Sequence, residues 1–206
     1  MRLSILLAAC SLFISAQASA NFITNGDFQT CNFDGWGIDA DGSSDTSDFT
    51  IVNNNGDCAA KIGLENIDPV LGFANVLFTE LDLSFVADGE FLNLSFDWMF
   101  EGADLQTDPA SDDIFSVVLN GDKFTEILFG FESGSGTFSM QLDNTFDVHS
   151  LEFILQPGFN LDSFSSFLTI DNVSLTQSSA VPAPQTSVLL ALGLGFVALR
   201  RVKYNK

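Results

Sequence analysis

Strict alternation of apolar and polar positions dominates the middle of the chain. Between 91 and 100, Asn93, Ser95 and Asp97 occupy one phase. The other phase is apolar throughout and comprises Leu92, Leu94, Phe96, Trp98 and Phe100. This period of two predicts a strand with one buried face. Residues 150–156 alternate in the same way and predict a second such strand.

The remaining pattern extends this prediction to a whole β-domain. Further strand candidates are 49–53, 58–62, 74–86, 136–142 and 166–176. Residues 115–119 and 124–128 flank Asn120-Gly121, a dipeptide that favours a type I′ turn, and predict a hairpin. Helical periodicity is almost absent from 21 to 180. We therefore predict a single all-β sandwich or barrel whose interior accommodates many of the 22 phenylalanines.

The first 20 residues have the pattern of a secretory signal peptide. Arg2 precedes an apolar stretch from Leu3 to Ile14, and Ala18 and Ala20 form an A-x-A cleavage pattern. We expect cleavage after Ala20. An alternative interpretation is a lipoprotein box at 7–10, with Cys10 as the lipidated residue.

The last 26 residues have the pattern of a short membrane-inserted helix. Thirteen residues from Ser187 to Leu199 carry no charge, and four basic residues follow. A full span needs about 20 apolar residues, and the positive-inside rule keeps the basic tail cytoplasmic. The alternative is a buried C-terminal helix of the domain, which Pro182 and Pro184 disfavour.

This terminal pattern resembles the PEP-CTERM sorting signal. The resemblance rests on Val181-Pro182-Ala183-Pro184, the apolar stretch and Arg200-Arg201, although the commoner form has Glu in place of Ala183. It implies a Gram-negative bacterium that makes exopolysaccharide. It also implies an exosortase-type membrane protease that acts near 181–184, so that 179–206 is a sorting signal. The expected location is the cell envelope, the cell surface or the extracellular matrix.

The charge balance narrows the possible partners. The chain has 27 Asp+Glu and 7 Lys+Arg, a net charge of −20. Residues 21–180 hold all 27 acids and only Lys61 and Lys123, a net of 2 − 27 = −25. Such a domain lacks the basic face that nucleic acid requires. A single His, His149, leaves few groups for acid–base chemistry and argues against an enzyme. Glycoside hydrolysis by paired carboxylates remains open.

Two cysteines remain in the exported part of the chain. Cys31 and Cys58 would close a loop of about 27 residues if they pair. We predict a disulfide between them, and the alternative is two free buried thiols.

A second resemblance covers residues 21–178. Asn25-Gly26-Asp27-Phe28 with Gly35-Trp36 opens the segment, Leu94-x-Phe96-x-Trp98 lies in its middle, and Ile170-Asp171-Asn172-Val173-Ser174-Leu175 closes it. This order resembles the galactose-binding-like jelly roll, to which many carbohydrate-binding modules belong. The resemblance implies adjacent first and last strands, with calcium as a structural ion near them.

The alternation slips at Asp171-Asn172, which predicts a β-bulge. By resemblance, Asp171 is the main calcium ligand, assisted by Asp27 and by Gly56-Asp57. The alternative is that Asp171 only accepts hydrogen bonds from backbone N–H groups at the bulge. The acidic loop that begins at Asp39 fails the EF-hand spacing, and the acidic loops at 39–48 and 104–113 are both interpreted as solvated.

The two tryptophans, Trp36 and Trp98, are candidates for stacking on sugar rings, but each also fits a place in the core. We mark Trp36 as the ligand-binding candidate. The leading hypothesis is a non-catalytic, exported protein that binds or organises extracellular polysaccharide. The alternatives are a purely structural matrix protein and, third, a glycoside-active enzyme.

Overall fold

The computed structural model describes residues 21–40, 46–64, 74–83, 86, 90–102, 113–121, 123–143, 148–158 and 165–178. The predicted signal peptide with Ala18 and Ala20 lies outside this part, and so do the predicted sorting residues Val181–Pro184, Arg200 and Arg201. Within the described ranges, no helix has the length and apolar character needed to cross a membrane.

Within these ranges the chain folds into ten strands and one short 3₁₀ turn, Thr46–Asp48. The strands are β1 Gly37–Ala40, β2 Phe49–Asn54, β3 Asp57–Leu64, β4 Asn75–Glu80, β5 Phe91–Glu101, β6 Ile114–Gly121, β7 Thr125–Gly130, β8 Gly134–Asp143, β9 Val148–Gln156 and β10 Ser166–Ser178. Sheet A has the order β2-β3-β10-β5-β8, and sheet B has the order β1-β4-β9-β6-β7.

The strand order is that of a jelly roll. Among the eight strands β3 to β10, β3 pairs with β10, and β4 pairs with β9. Strand β10 also pairs with β5, and β9 also pairs with β6. Strands β1 and β2 add one edge to each sheet. The predicted all-β, jelly-roll sandwich is thus confirmed.

The two sheets enclose a core rich in phenylalanine. Phe96 stacks on Phe138 with ring centroids 4.9 Å apart and meets the edge of Phe153 at 5.1 Å. Phe100 and Phe115 pack at 5.0 Å. Offset and edge contacts of this kind are the preferred aromatic geometries. The prediction that phenylalanines pack the interior is confirmed.

Two predicted strand details are wrong. The strand expected over 74–86 ends at Glu80, and Leu81 and Val86 are buried without belonging to a strand. Asn120-Gly121 does not form a two-residue turn, because these residues pair with Ser150 and Val148 of β9 and extend β6. The hairpin itself exists, with β6 and β7 paired.

The predicted disulfide is confirmed. Cys31 and Cys58 are bonded, with a sequence separation of 27. The bond ties the loop that precedes β1 to strand β3. Cys58 is fully buried, whereas Cys31 lies at the surface.

Candidate functional site

The loop from 21 to 36, which we call the first loop, packs on strand β10. The Val173 amide donates to the Gly26 carbonyl oxygen at 2.8 Å, and the Leu175 amide donates to Asn21 Oδ1 at 2.9 Å. A β-carbon on Gly26 would lie 2.0 Å from the Val173 oxygen, so the close approach requires glycine. The motif residues at the two ends of the domain therefore form one packing unit.

Strand β10 bulges where the sequence pattern slips. Its register against β5 shifts between Asp171 and Ser174, and Asn172 has a left-handed φ of 52°. The predicted bulge is confirmed. The Asn172 amide donates to Asp171 Oδ1 at 2.7 Å, which is a hydrogen bond of the kind that the alternative interpretation expects.

Acidic side chains gather around this bulge. Burial raises the pKa of Asp171, the hydrogen bond from Asn172 lowers it, and the charges of Asp57, Asp97 and Asp27 raise it further. Asp27 and Asp57, which were predicted from the sequence, therefore lie near Asp171. Asp97 is a further member, since it pairs directly with Asp171 across β5 and β10.

The donor chemistry at the bulge suits calcium, which prefers oxygen ligands that include backbone carbonyls. Within the described residues, however, no three His, Cys, Asp or Glu side chains converge as a ligand set. Gly56 forms the β2–β3 turn, with φ +96°, next to Asp57. Asp57 accepts a hydrogen bond from Gln29 Nε2 at 2.8 Å.

Trp36 lies in the core and is not available for stacking on a sugar. Its side chain is 9% exposed, and its ring packs 5.1 Å from Phe28 and 6.0 Å from Phe153. The indole N–H donates to the Asn25 carbonyl oxygen at 3.3 Å. Its marking as a ligand-binding residue is therefore corrected. Trp98 also packs against the core, 5.0 Å from Phe115.

A groove of about 850 Å³ crosses the outward face of sheet B. Its described lining consists of Asp39, Val76, Phe78, Glu80, Leu81, Asp82, Asn120, His149, Ser150 and Glu152. The strand register explains why these residues meet. Gly37, Phe78, Glu152 and Val118 form one row across β1, β4, β9 and β6. Glu80, Ser150 and Asn120 form the next row.

Phe78 provides the aromatic surface of the groove. The tip of its ring lies over Gly37, where a β-carbon would be 2.3 Å from Phe78 Cζ. The ring remains partly exposed. Because Phe78 faces outward while Leu77 and Thr79 face the core, its position cannot be explained by packing between the two sheets.

Glu152 is held in place on the groove floor. Its Oε1 accepts hydrogen bonds from Asn120 Nδ2 at 2.7 Å and from Ser150 Oγ at 2.8 Å. The carboxylate, the amide and the hydroxyl come from two adjacent strands. Such fixed polar groups beside an aromatic ring are the usual means of orienting a polar ligand.

Sequence reasoning missed this site. It assigned Asp39 to a solvated acidic loop and gave His149 no part in a binding site, whereas both line the groove. In β4 both phases contain apolar residues, so the outward direction of Phe78 is not visible in the sequence. The sequence does contain one indication of the site. In β9, Ser150 and Glu152 alternate with Leu151 and Phe153, which predicts that Ser150 and Glu152 face outward.

No protein-family model and no curated protein sequence matches the chain. Among solved structures, the chain is similar to TmCBM61 in complex with β-1,4-galactotriose, with 15% identity and a TM-score of 0.48 over 78% of this chain and 100% of that one. It is also similar to the N-terminal cellulose-binding domain of Cellulomonas fimi β-1,4-glucanase C, with 13% identity and a TM-score of 0.45 over 79% and 100%. A third is the mannan-recognising module TmCBM27, with 14% identity and a TM-score of 0.41 over 79% and 96%. At these identities the likeness concerns the fold alone.

Proposed function

We propose that the protein is a non-catalytic, exported protein whose sheet B groove binds extracellular polysaccharide. The observation that carries the proposal is the pairing, on one open face, of the partly exposed Phe78 ring with the fixed Glu152–Asn120–Ser150 cluster. Aromatic rings stack on the C–H faces of sugars, and planar polar side chains bind the hydroxyl groups.

The shape of the groove favours a chain over a single sugar. It is open and runs over β1, β4, β9 and β6, so a polymer can lie across it without an end having to enter. Surface binding of this kind needs no chemical step. It suits a protein whose role is to hold or organise a matrix.

The test is affinity electrophoresis of the purified full-length protein through native gels that contain the host exopolysaccharide or common polysaccharides. We expect retardation in at least one gel. Phe78→Ala should abolish it, whereas Phe91→Ala, which removes an exposed ring from the outward face of sheet A, should not. Retardation that survives Phe78→Ala would refute the groove as the site.

The same material separates the alternative functions. A structural matrix protein without a ligand migrates equally in all gels. A glycoside-active enzyme releases reducing ends from the polysaccharide during incubation, and a binding protein does not.

The sorting proposal follows from the terminal sequence. We infer that an exosortase-type protease cleaves near Val181–Pro184 and that the apolar helix and Arg200-Arg201 hold the precursor in the inner membrane until then. The mass of the protein recovered from the host tests this. Loss of the C-terminal segment is expected, and replacement of Pro182 and Pro184 by Ala should leave it attached.

The calcium proposal concerns the β10 bulge. Asp171 would be the main ligand of a structural Ca²⁺, assisted by Asp27 and the Gly56-Asp57 segment, and the carboxylates of Asp27 and Asp57 add to the negative charge around it. The bound ion would neutralise repulsion among these carboxylates and thereby stabilise the first loop. We expect excess calcium to raise the melting temperature relative to EGTA. Asp171→Asn should remove this response and the exposed-site variant Glu132→Gln should retain it, whereas equal midpoints in calcium and EGTA would refute the proposal.

A further inference from the structure

We propose that the polysaccharide bound in the sheet B groove carries free, protonated amino groups. This inference rests on the proposed function and specifies the chemical class of its ligand. It follows from what surrounds Phe78.

Three acidic residues neighbour Phe78 on the same face of sheet B. Glu152 is its direct cross-strand partner on β9, and Glu80 lies two residues further along β4 on the same face. Asp39 on β1 pairs with Val76, which precedes Phe78 by two residues on the same face of β4. Residues directly opposite or two apart on one sheet face lie within reach of a common ligand.

The described lining also contains Asp82 and one histidine, but no lysine or arginine. In the described part of the chain, the ion pair between a Lys or Arg and a carboxylate is Lys61–Glu101, at 4.0 Å. It lies on sheet A, where Lys61 also covers the Phe167 ring at 3.6 Å. Among the described lining residues, Asp39, Glu80 and Glu152 thus have no lysine or arginine beside them, and His149 is the one basic side chain.

This arrangement favours an ammonium group. An aromatic face attracts a cation through its quadrupole, and the flanking carboxylates add charge-assisted hydrogen bonds. A concave, acidic face concentrates the field that attracts cations. The same charges repel uronates and sulfated sugars. An N-acetylated sugar stacks on the ring but gains nothing from the carboxylates.

The hydrogen bonds to Glu152 support a role in ligand binding. Both donors, Asn120 and Ser150, are neutral, so they orient the carboxylate without cancelling its charge. A Gln in its place can accept the same two hydrogen bonds. Glu152→Gln therefore removes the charge while keeping the groove's shape.

The experiment is calorimetric titration of the full-length protein, at physiological salt, with a glucosamine tetramer and with its fully N-acetylated form. These probes share a backbone and differ in the charge on nitrogen. We expect the glucosamine tetramer to bind about tenfold more tightly. A β-1,4-galactan and a mannan serve as neutral references, and a uronate polymer should not bind.

Two double variants of equal net charge separate the groove from the general acidity of the protein. Glu80→Gln with Glu152→Gln removes two groove charges and should abolish the preference for the amine. Glu101→Gln with Glu132→Gln removes two exposed charges outside the groove and should preserve it. A preference that survives equally in both would reveal diffuse charge attraction and overturn the inference.

The remaining outcomes are distinguishable. If a neutral or N-acetylated glycan binds as tightly as the amine form or more tightly, the amine inference is wrong and the proposed function stands. If a folded protein binds no glycan at all, the proposed function fails and this inference fails with it.

Discussion

Phe78 and Gly37 face each other across β4 and β1, and the tip of the phenyl ring occupies the space that a side chain on Gly37 would fill. The glycine therefore sets the position of the aromatic surface in the groove. Replacing Gly37 by Ala leaves every ligand-facing side chain present but forces the ring to move.

Gly37→Ala should weaken polysaccharide binding by roughly 1 kcal/mol, or about fivefold, because the ring loses its place on the groove floor. The measurement is the retardation coefficient in affinity gels. Gly134→Ala is the control, since its added β-carbon meets nothing nearer than 3.7 Å. Unchanged retardation in Gly37→Ala would show that the ring does not contribute.

Gly26→Ala should destabilise the domain by about 2–4 kcal/mol, because the new β-carbon would overlap the Val173 carbonyl and separate the first loop from β10. Urea unfolding followed by tryptophan fluorescence measures this. Gly63→Ala is the matched control, with a nearest contact of 3.4 Å. Equal midpoints for the two variants would contradict the packing unit described at the bulge.

Asp171 should make the calcium-free domain less stable as the pH rises. Its pKa in the folded state is raised above 3.8, so the folded protein holds this proton more tightly than the unfolded chain does. The stabilising contribution is thus complete below the unfolded pKa and is lost as the pH rises through the folded value.

Asp171→Asn should accordingly be more stable than the natural protein at pH 7 in EGTA, and the difference should vanish in acid. The Asn side chain can still accept the hydrogen bond from the Asn172 amide. Unfolding free energies across pH 3–7 measure the effect, with Glu132→Gln as the control. If the variant is less stable than the natural protein at pH 7 in EGTA, repulsion between Asp171 and its neighbouring carboxylates does not destabilise the domain.

Reduction of Cys31–Cys58 should cost about 3 kcal/mol, since the bond closes a 27-residue loop in the unfolded chain. Comparing urea unfolding with and without reductant measures this cost. The variant with Ser at both positions should match the reduced protein and should not respond to reductant. If the oxidised and reduced proteins unfold at the same urea concentration, the disulfide adds no stability.

One dipeptide illustrates how far the sequence predicts this fold. Asn55-Gly56 forms a two-residue hairpin turn, with φ of 58° and 96°, and Asn54 pairs with Asp57 across it. Asn120-Gly121 has the same local preference but lies in β6, because pairing with β9 outweighs the turn. Local chemistry is identical at the two sites, and a strand distant in sequence decides the outcome.

The dependence on strands distant in sequence also explains why the bulge was predicted and the groove was not. The bulge at Asp171 lies within one strand, so a slip in alternation was enough to find it. The groove joins Gly37, Phe78 and Glu152 from three strands that are far apart in the chain. Their alignment depends on strand order and register across sheet B, and neither can be obtained from periodicity alone.

The position of β10 has a mechanical consequence. Strand β10 is central in sheet A. It pairs with β5 up to Ser178, and on its other side β3 pairs with Ser166–Ile170. Beyond this stretch the first loop takes the place of β3, because Asn21 bridges to Thr176 and the Phe22 amide donates to the Leu175 carbonyl oxygen at 2.8 Å. Tension applied along the chain beyond Ser178 therefore acts on a strand with partners on both sides. An edge strand, in contrast, could be separated one hydrogen bond at a time. If the proposed groove binds a glycan, the domain would transmit a pull between sheet B and the end of β10 while the sandwich stays folded.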